Sequence, residues 1–376
     1  MTATIPPGQE QVSVPVRNLV MMLLYQLQDG NLLQRLGLAL QGAEENAQRG
    51  EEVLAAFFVA VMKRLLQKGL APRYQRHKQI GAMVRGTLDV AAYARQPDKG
   101  RSVPSRFDAL VSNSPAQQLL GAMLEQVATM PRLHGLAAAQ AATPLWRTML
   151  AQGLEGGQRN ITNLGHAFAA LPPHQKPQDG LERLAFEVAF IMAMGLVPSG
   201  HGGTRLFLAL EKGRLHDVYE KFLLAYFKRH HGSALEVRAR HIPWSLQGTP
   251  EATQWLPRMQ TDMVLADHRT GRVLIVDAKF YTRIATYYHG VAKLRSAHLY
   301  QVNAYRQQWL QKHPTKAGDV STALLYAQPS NHPSLRLRYS YPEGGKLHVN
   351  TVNLDAPWGA VTCSLDAFVA DWLENA

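Results

Sequence analysis

An apolar run that ends in two charged residues constrains the fold of this chain more than any other feature of its sequence. Val273–Val276 is followed directly by Asp277, Ala278 and Lys279. Such a run is typical of a strand that is covered on both faces of a sheet. Because side chains alternate along a strand, Asp277 and Lys279 share one face. Two charges at the end of a buried strand predict a functional role for Asp277 and Lys279.

A second β-rich run precedes this strand and is joined to it by a short polar segment. Met263–Leu265 and the apolar run after the segment predict an antiparallel hairpin. If the turn is centred near Arg269 and Thr270, the register places Asp262 opposite Asp277. The hairpin therefore predicts two carboxylates side by side.

Two carboxylates held close together repel each other unless a cation lies between them. Oxygen ligands suit Mg²⁺, which keeps several waters for chemistry. A lysine beside such a pair can orient and help deprotonate a water, or stabilise charge on a phosphate. The pattern predicts Mg²⁺-dependent phosphodiester hydrolysis by Asp262, Asp277 and Lys279. The alternative is an ordinary ion pair between Asp277 and Lys279, with Asp262 capping a turn.

Two predicted helices supply further candidates. Apolar spacing predicts a helix over Leu215–Phe227, and Glu220 lies beside its apolar stripe, where it can reach a metal. The alternative for Glu220 is a solvated ion pair with a neighbouring basic residue. After the hairpin, Gln301 and Tyr305 lie four residues apart on one helical face, where they can position a nucleophile or a phosphate.

Charge and cysteine content limit the function classes. The 376 residues include 40 Lys and Arg against 28 Asp and Glu, a formal net charge of +12. This surplus favours an anionic partner, which can be a nucleic acid, an acidic membrane surface or an acidic protein. The single cysteine, Cys363, excludes an internal disulfide and a cysteine-rich zinc site. With no secretory signal and no apolar run long enough to span a bilayer, we expect a cytoplasmic protein without a membrane anchor.

The N-terminal half is predicted to mix helices and strands. Helices are expected over Leu19–Leu27, Glu51–Lys68 and Pro115–Val127, with strands between Tyr74 and Val90. Leu171–Gly180, which is rich in proline and glycine, is the strongest break and predicts domains at 1–180 and 181–376. The glycine-rich segment 200–203 lacks the Lys-Ser/Thr of a phosphate-binding loop, so it is interpreted as a surface loop.

The order of these elements resembles the PD-(D/E)xK nuclease superfamily. The order along the chain is the same as in that superfamily: an acidic helix, an Asp-bearing strand, an Asp-x-Lys strand and a Gln-bearing helix. Thr261 stands where the superfamily pattern has proline. The chain more closely resembles the McrC family. The nuclease-half motifs are Leu-Pro-Arg-Met-Gln-Thr-Asp at 256–262, Leu-Ile-Val-Asp-Ala-Lys-Phe-Tyr at 274–281 and Leu-Tyr-Gln at 299–301, and segments 14–18, 81–86 and 106–108 resemble the family's N-terminal domain.

The resemblance implies an α/β (α+β) fold. A mixed α/β N-terminal domain docks on a partner, and a PD-(D/E)xK endonuclease-like domain follows, with a mixed central sheet flanked by helices. The implied partner is a hexameric McrB-like AAA+ GTPase that recognises modified cytosine, and the implied substrate is duplex DNA containing methylated cytosine.

In this interpretation Asp262, Asp277 and Lys279 are catalytic, with Glu220 and Gln301 in support. Asp262, Asp277 and Glu220 would hold Mg²⁺. Two other functions remain open: a stand-alone repair or defence nuclease, and a non-cleaving regulator of the partner GTPase. RNA as the substrate is a minor alternative.

Overall fold

The computed structural model describes most of the chain. The described residues are 14–27, 30–32, 34–38, 50–70, 73–96, 102–111, 113–130, 137–151, 161–177, 180–195, 212–280, 285–288, 291–313, 317–328 and 334–375. The chain divides into two compact units. The first comprises Met1–Gly37, Gln48–Gly50 and Ser199–Ala376, and the second comprises Leu38–Ala47 and Glu51–Pro198.

Both units contain helices and strands. The α-helices with defined bounds are α1 (Val16–Tyr25), α2 (Gly50–Lys68), α3 (Val90–Ala94), α4 (Pro115–Thr129), α5 (Ala137–Ala151), α6 (Ile161–Ala170), α7 (Gly180–Gly195), α8 (Lys212–His230), α9 (Pro250–Thr253), α10 (Ser296–Lys312) and α11 (Trp358–Asn375). The strands are β1 (Arg73–Gly81), β2 (Thr87–Leu88), β3 (Val103–Val111), β4 (Leu235–Arg238), β5 (Met263–Asp267), β6 (Val273–Phe280), β7 (Ala285–Tyr288), β8 (Val291–Leu294), β9 (Val320–Gln328), β10 (Arg336–Ser340) and β11 (Lys346–Asn353).

A six-stranded sheet in the order β10-β11-β9-β6-β5-β4 organises the first unit. β6 is parallel to β9 and antiparallel to β5, so the sheet is mixed. Every residue of β6 is buried, which confirms the prediction of a strand covered on both faces. Tyr305 and Trp309 of α10 pack against Ile275 on one face, and Tyr219 of α8 packs against Phe280 on the other. The predicted mixed sheet flanked by helices is confirmed.

The β5–β6 hairpin has the predicted register. Met263 pairs with Val276, so the preceding residue, Asp262, lies beside Asp277. The turn is stabilised by Asp267, whose carboxylate accepts hydrogen bonds from the Arg269 backbone N–H at 3.0 Å and the Thr270 hydroxyl at 2.5 Å. The polar turn residues thus fix the register that brings the two carboxylates together.

The second unit combines a small sheet with helices, as predicted for the N-terminal half. Its strands follow the order β1-β3-β2. Gly86 has a φ of +77°, and a Cβ there would lie 2.4 Å from the Arg106 carbonyl oxygen, so glycine is required at this position. Helix α4 begins with a capping box between Ser114 and Gln117.

Helix α1 belongs to the first unit, together with the C-terminal half of the chain. The buried Asn18 donates hydrogen bonds to the Leu354 and Ala356 carbonyl oxygens at 2.5 and 2.8 Å. Tyr25 packs against Phe222 of α8 and Trp358 of α11. The compact units therefore differ from a division at residue 180, which assigned α1 to the N-terminal domain. The division into functional domains at 1–180 and 181–376 stays a prediction.

No helix in the described part of the chain is long and apolar enough to cross a bilayer. The glycine-rich segment 200–203 lies outside the described residues.

Candidate active site

The end of β6 holds a buried ion pair. Asp277 is 0% exposed and Lys279 is 5% exposed. The Lys279 Nζ lies 2.5 Å from the Asp277 Oδ2. Nevertheless, the other oxygen of Asp277, Oδ1, has no hydrogen-bond partner among the described residues. The ion pair of the simpler alternative is therefore present, but it leaves a buried carboxylate poorly satisfied, which is costly for a purely structural group.

Asp262 lies immediately before β5 and contacts the neighbouring strand. Its Oδ2 accepts a hydrogen bond from the Ala278 backbone N–H at 2.6 Å. Ala278 separates Asp277 from Lys279, so this bond ties Asp262 to the middle of the Asp-x-Lys segment. Asp262 bridges two strands here, and both carboxylates lie at one end of the hairpin.

The surroundings of the two carboxylates oppose their ionisation. Burial raises the pKa of Asp277 to about 7, although the Lys279 charge acts against the increase. Burial and then the charge of Glu220 raise the pKa of Asp262 to about 6. Each carboxylate therefore holds its proton more readily than it would in water. A bound cation would favour ionisation of both.

A chain of hydrogen bonds fixes the lysine. The Lys279 Nζ donates to the Gln301 Oε1 at 2.9 Å, and the Gln301 Nε2 donates to the Tyr305 hydroxyl at 2.8 Å. That hydroxyl donates to the Gln260 carbonyl oxygen at 2.9 Å. Mainly burial raises the pKa of Tyr305 to about 12, so the phenol keeps its proton and remains a donor. The predicted pair on α10 thus supports Lys279.

Glu220 approaches the carboxylates from α8. It is partly buried, and its pKa is raised by burial, then by Asp217, with a smaller contribution from Asp277. Among the described residues, however, no three His, Cys, Asp or Glu side chains form a group that could hold a metal. The structure brings Asp262, Asp277, Lys279 and Gln301 together, with Glu220 within electrostatic range. The role of Glu220 as a third metal ligand stays a prediction.

Two histidines near the lysine were missed by sequence reasoning. The His298 Nδ1 and the Tyr326 hydroxyl lie 2.8 Å apart, and burial followed by the Lys279 charge lowers the His298 pKa to about 4. The His216 Nδ1 is buried without a hydrogen-bond partner in the described chain, and the same two causes lower its pKa. Helical spacing could have indicated both, because His298 lies three residues before Gln301 and His216 lies four before Glu220.

The residues present fit a divalent cation that binds few protein ligands. Mg²⁺ is commonly held by one or two carboxylates and keeps its other waters. Asp262 and Asp277 supply two adjacent carboxylates, and the Oδ1 of Asp277, which has no partner among the described residues, is a suitable metal ligand.

Comparisons with known proteins give consistent matches. Residues 8–191 match the family described as McrBC 5-methylcytosine restriction system component. The Escherichia coli K12 protein named type IV methyl-directed restriction enzyme EcoKMcrBC is 25% identical over 360 residues, which cover 94% of this chain and 96% of the relative.

Two solved structures from Thermococcus gammatolerans are also similar, each at 16% identity. A chain from the refined half-complex of a tetradecameric assembly of McrB AAA+ hexamers with bound McrC matches with a TM-score of 0.41, covering 94% of this chain and 76% of that one. A chain from the cryo-EM structure of the McrBC complex matches with a TM-score of 0.32, covering 57% and 58%.

Proposed function

We propose that this chain, whose residues 8–191 match the family of McrBC 5-methylcytosine restriction system components, is the DNA-cleaving subunit of a modification-dependent restriction system. One observation carries the proposal. Asp277 is fully buried, opposes Asp262 across a hairpin and contacts Lys279 through Oδ2, and its Oδ1 has no hydrogen-bond partner among the described residues. A divalent cation at the two carboxylates would satisfy this arrangement.

The order of elements around the site supports a PD-(D/E)xK nuclease domain. Helix α8 carries Glu220, the hairpin β5–β6 carries the two aspartates and Lys279, and α10 carries Gln301. The parallel neighbour β9 places β6 inside the sheet, while the Asp-x-Lys segment occupies its end. This is the order that led us to expect the superfamily from the sequence.

Each side chain has a role in the proposed phosphodiester hydrolysis. Asp262 and Asp277, with Glu220 as the further candidate, would hold Mg²⁺, which supplies Lewis acidity and an activated water when bound. Lys279 orients the nucleophile or stabilises negative charge that develops on the phosphate. Gln301 and Tyr305 hold the Lys279 ammonium in place and limit its rotamers.

The proposal includes a partner and a substrate. The match to a McrBC component family supports association with a McrB-like AAA+ GTPase hexamer, on which the N-terminal domain would dock and whose GTP hydrolysis it would stimulate. The description of the matched family and the name of the E. coli relative, a methyl-directed restriction enzyme, support DNA with methylated cytosine as the substrate. The net charge of +12 suits a phosphate backbone. We propose a cytoplasmic location for the assembly.

A plasmid cleavage assay tests the proposal. Methylated and unmethylated plasmids are incubated with Mg²⁺ and the wild-type chain, its Asp277→Ala variant or its Asp371→Asn variant, with and without the GTPase and GTP. Asp371 is a buried carboxylate on α11 and serves as the matched control. We expect cleavage of methylated plasmid only with GTPase and GTP, abolished in Asp277→Ala and retained in Asp371→Asn.

The other outcomes identify the alternatives. Cleavage without the GTPase would favour a stand-alone nuclease. Stimulated GTP hydrolysis without cleavage by the wild-type chain would favour a non-cleaving regulator. Preferential cleavage of RNA would overturn the choice of substrate.

A further inference from the structure

A rigid arm leaves the six-stranded sheet at the end that carries the two aspartates. We define the arm as residues 239–261, which connect β4 to β5. Because β5 and β6 are antiparallel, the beginning of β5 and the end of β6 lie at the same end of the strands. The arm therefore starts beside Asp262, Asp277 and Lys279 and extends away from them.

Backbone and side-chain hydrogen bonds hold the base of the arm. The Thr261 N–H donates to the Arg240 carbonyl oxygen at 2.9 Å, and the Ile242 N–H donates to the Met259 carbonyl oxygen at 2.9 Å. The Trp244 indole N–H donates to the Pro257 carbonyl oxygen at 2.7 Å. These bonds make the arm a continuation of the β4–β5 ribbon.

The arm is also tied to the helix that carries the lysine-holding pair. The Ser245 N–H donates to the Gln308 side chain of α10 at 2.7 Å. At the base, the Gln260 carbonyl oxygen accepts the hydrogen bond from Tyr305 that ends the chain from Lys279. The position of the arm is thus linked to the position of the site.

This arm exposes a tryptophan. Trp255 is 89% exposed, the largest value among the exposed large hydrophobic residues in the described chain, and Leu246 of the same arm is 61% exposed. Single exposed apolar residues are common on protein surfaces. An indole presented on an anchored arm is different, because a rigid aromatic side chain gives contact area at little entropic cost.

The chemistry near Trp255 suits a nucleic acid. Arg258 is exposed three residues away, whereas Arg240 at the base of the arm is paired with Glu236 of β4 at 2.7 Å. Asp262 lies seven positions after Trp255, so the two lie at most roughly 25 Å apart along extended chain. Duplex DNA rises about 3.4 Å per nucleotide. A duplex held at Asp262 therefore reaches the indole within at most about seven base pairs.

We propose that Trp255 is a DNA-contacting residue, whose indole stacks on or inserts between bases of the duplex held at Asp262, and that Arg258 contacts the backbone beside it. The inference rests on the proposed nuclease function. Aromatic side chains stack on exposed bases and wedge between base steps in known modes of DNA binding. The arm thus sets how far the bound DNA extends from the site.

Duplex binding by variants of the full chain tests this inference. Anisotropy of a labelled duplex is measured without divalent cations, for the chain alone and with the McrB-like ring. We expect Trp255→Ala to raise Kd by about 5-fold to 150-fold and Trp255→Phe to restore most of the affinity. Tyr339→Ala is the control, because Tyr339 is 48% exposed on β10, at the opposite edge of the sheet.

Two further readouts separate stacking from a structural effect. Trp255→Ala removes no charge, so the dependence of log Kd on log salt concentration should keep its slope, whereas Arg258→Gln should reduce that slope by about 1. The duplex should quench the indole fluorescence of the wild-type chain, and Trp255→Phe should lose that quenching.

The outcomes distinguish this inference from the proposed function. If wild type and Trp255→Ala bind the duplex equally, the arm does not contact DNA and the nuclease proposal stands. If Trp255→Ala keeps its DNA affinity but no longer binds the ring, the arm is a protein interface and the inference is wrong. If the wild-type chain binds no duplex, alone or with the ring, both proposals fail.

Discussion

Two buried aspartates of the first unit have contrasting surroundings. Asp371 on α11 is 7% exposed and accepts hydrogen bonds from the guanidinium groups of Arg336 and Arg338 at 2.9 and 2.8 Å. Asp277 is 0% exposed and contacts Lys279 through Oδ2, while its Oδ1 has no hydrogen-bond partner among the described residues. The partners of Asp371 account for its burial, whereas one oxygen of Asp277 is left for the proposed Mg²⁺ to bind.

The largest effect on cleavage is expected when the basic residue beside Asp277 is replaced. The same kind of replacement beside Asp371 is the comparison. Lys279→Met should reduce the cleavage rate by on the order of 10³-fold, because it removes a charge that stabilises the transition state, worth several kcal/mol. Arg338→Met, which removes a cation from Asp371, should leave the rate within a few-fold of wild type. Single-turnover cleavage by the reconstituted complex measures both. Equal losses would show that the two regions do not differ in function.

Removing each carboxylate should change stability in opposite directions. The pKa of Asp277 is raised to about 7 from its ordinary value of 3.8, so the folded chain retains a proton that the unfolded chain releases. Without metal, this carboxylate lowers the free energy of unfolding as the pH rises from about 4 to 7, by at most about 4 kcal/mol. At pH 8 in EDTA, Asp277→Asn should therefore unfold at a higher temperature than wild type.

Asp371→Asn should instead unfold at a lower temperature, because its free energy of unfolding should fall by about 1 kcal/mol. The decrease is small because the arginine partners of Asp371 are partly exposed. Thermal unfolding at pH 8 and pH 4 measures both variants. The advantage of Asp277→Asn should disappear at pH 4, where Asp277 is already protonated. A destabilised Asp277→Asn at pH 8 would mean that its ion pair with Lys279 is structural.

The support of Lys279 should have an intermediate effect. Gln301→Ala removes the acceptor of one charged hydrogen bond, worth about 1.5–3 kcal/mol, so the cleavage rate should fall by about 10-fold to 100-fold. Gln301→Glu retains an acceptor and should recover part of the rate. If Gln301→Ala cleaves at the wild-type rate, Lys279 needs no support from α10.

Glu220 should give the smallest effect. Its charge raises the pKa of Asp262, so Glu220→Gln should lower that pKa towards its usual value. In the cleavage assay, the acidic limb of the pH profile should move to lower pH, with only a few-fold change in maximal rate. A loss as large as that of Lys279→Met would instead make Glu220 an essential metal ligand.

The local pattern of the chain was sufficient to predict the hairpin and its charges. Alternation along β6 and the polar turn predicted the Asp262–Asp277 register, because both depend on residues close in sequence. Gln301 and Tyr305 were placed on one helical face for the same reason. Their contact with Lys279 was not predictable from spacing alone, because it depends on how α10 packs on the sheet.

Contacts between distant segments were beyond sequence reasoning. Asn18 donates to Leu354 and Ala356, more than 330 residues away, and no local pattern indicates those acceptors. The pairing of His298 with Tyr326 likewise depends on the packing of α10 against β9. The sequence did not predict the arm, because no local pattern distinguishes the exposed Trp255 from a buried tryptophan.

Binding of a divalent cation tests the central claim most directly. Mn²⁺, which like Mg²⁺ prefers oxygen ligands, is titrated at pH 8 into wild type, Asp277→Asn and Asp371→Asn, and the free ion is followed by its EPR signal. We expect wild type and Asp371→Asn to bind Mn²⁺ in competition with Mg²⁺, and Asp277→Asn to lose that binding. If Asp277→Asn binds Mn²⁺ as wild type does, the buried carboxylate at the end of β6 is not a metal ligand and the account is wrong.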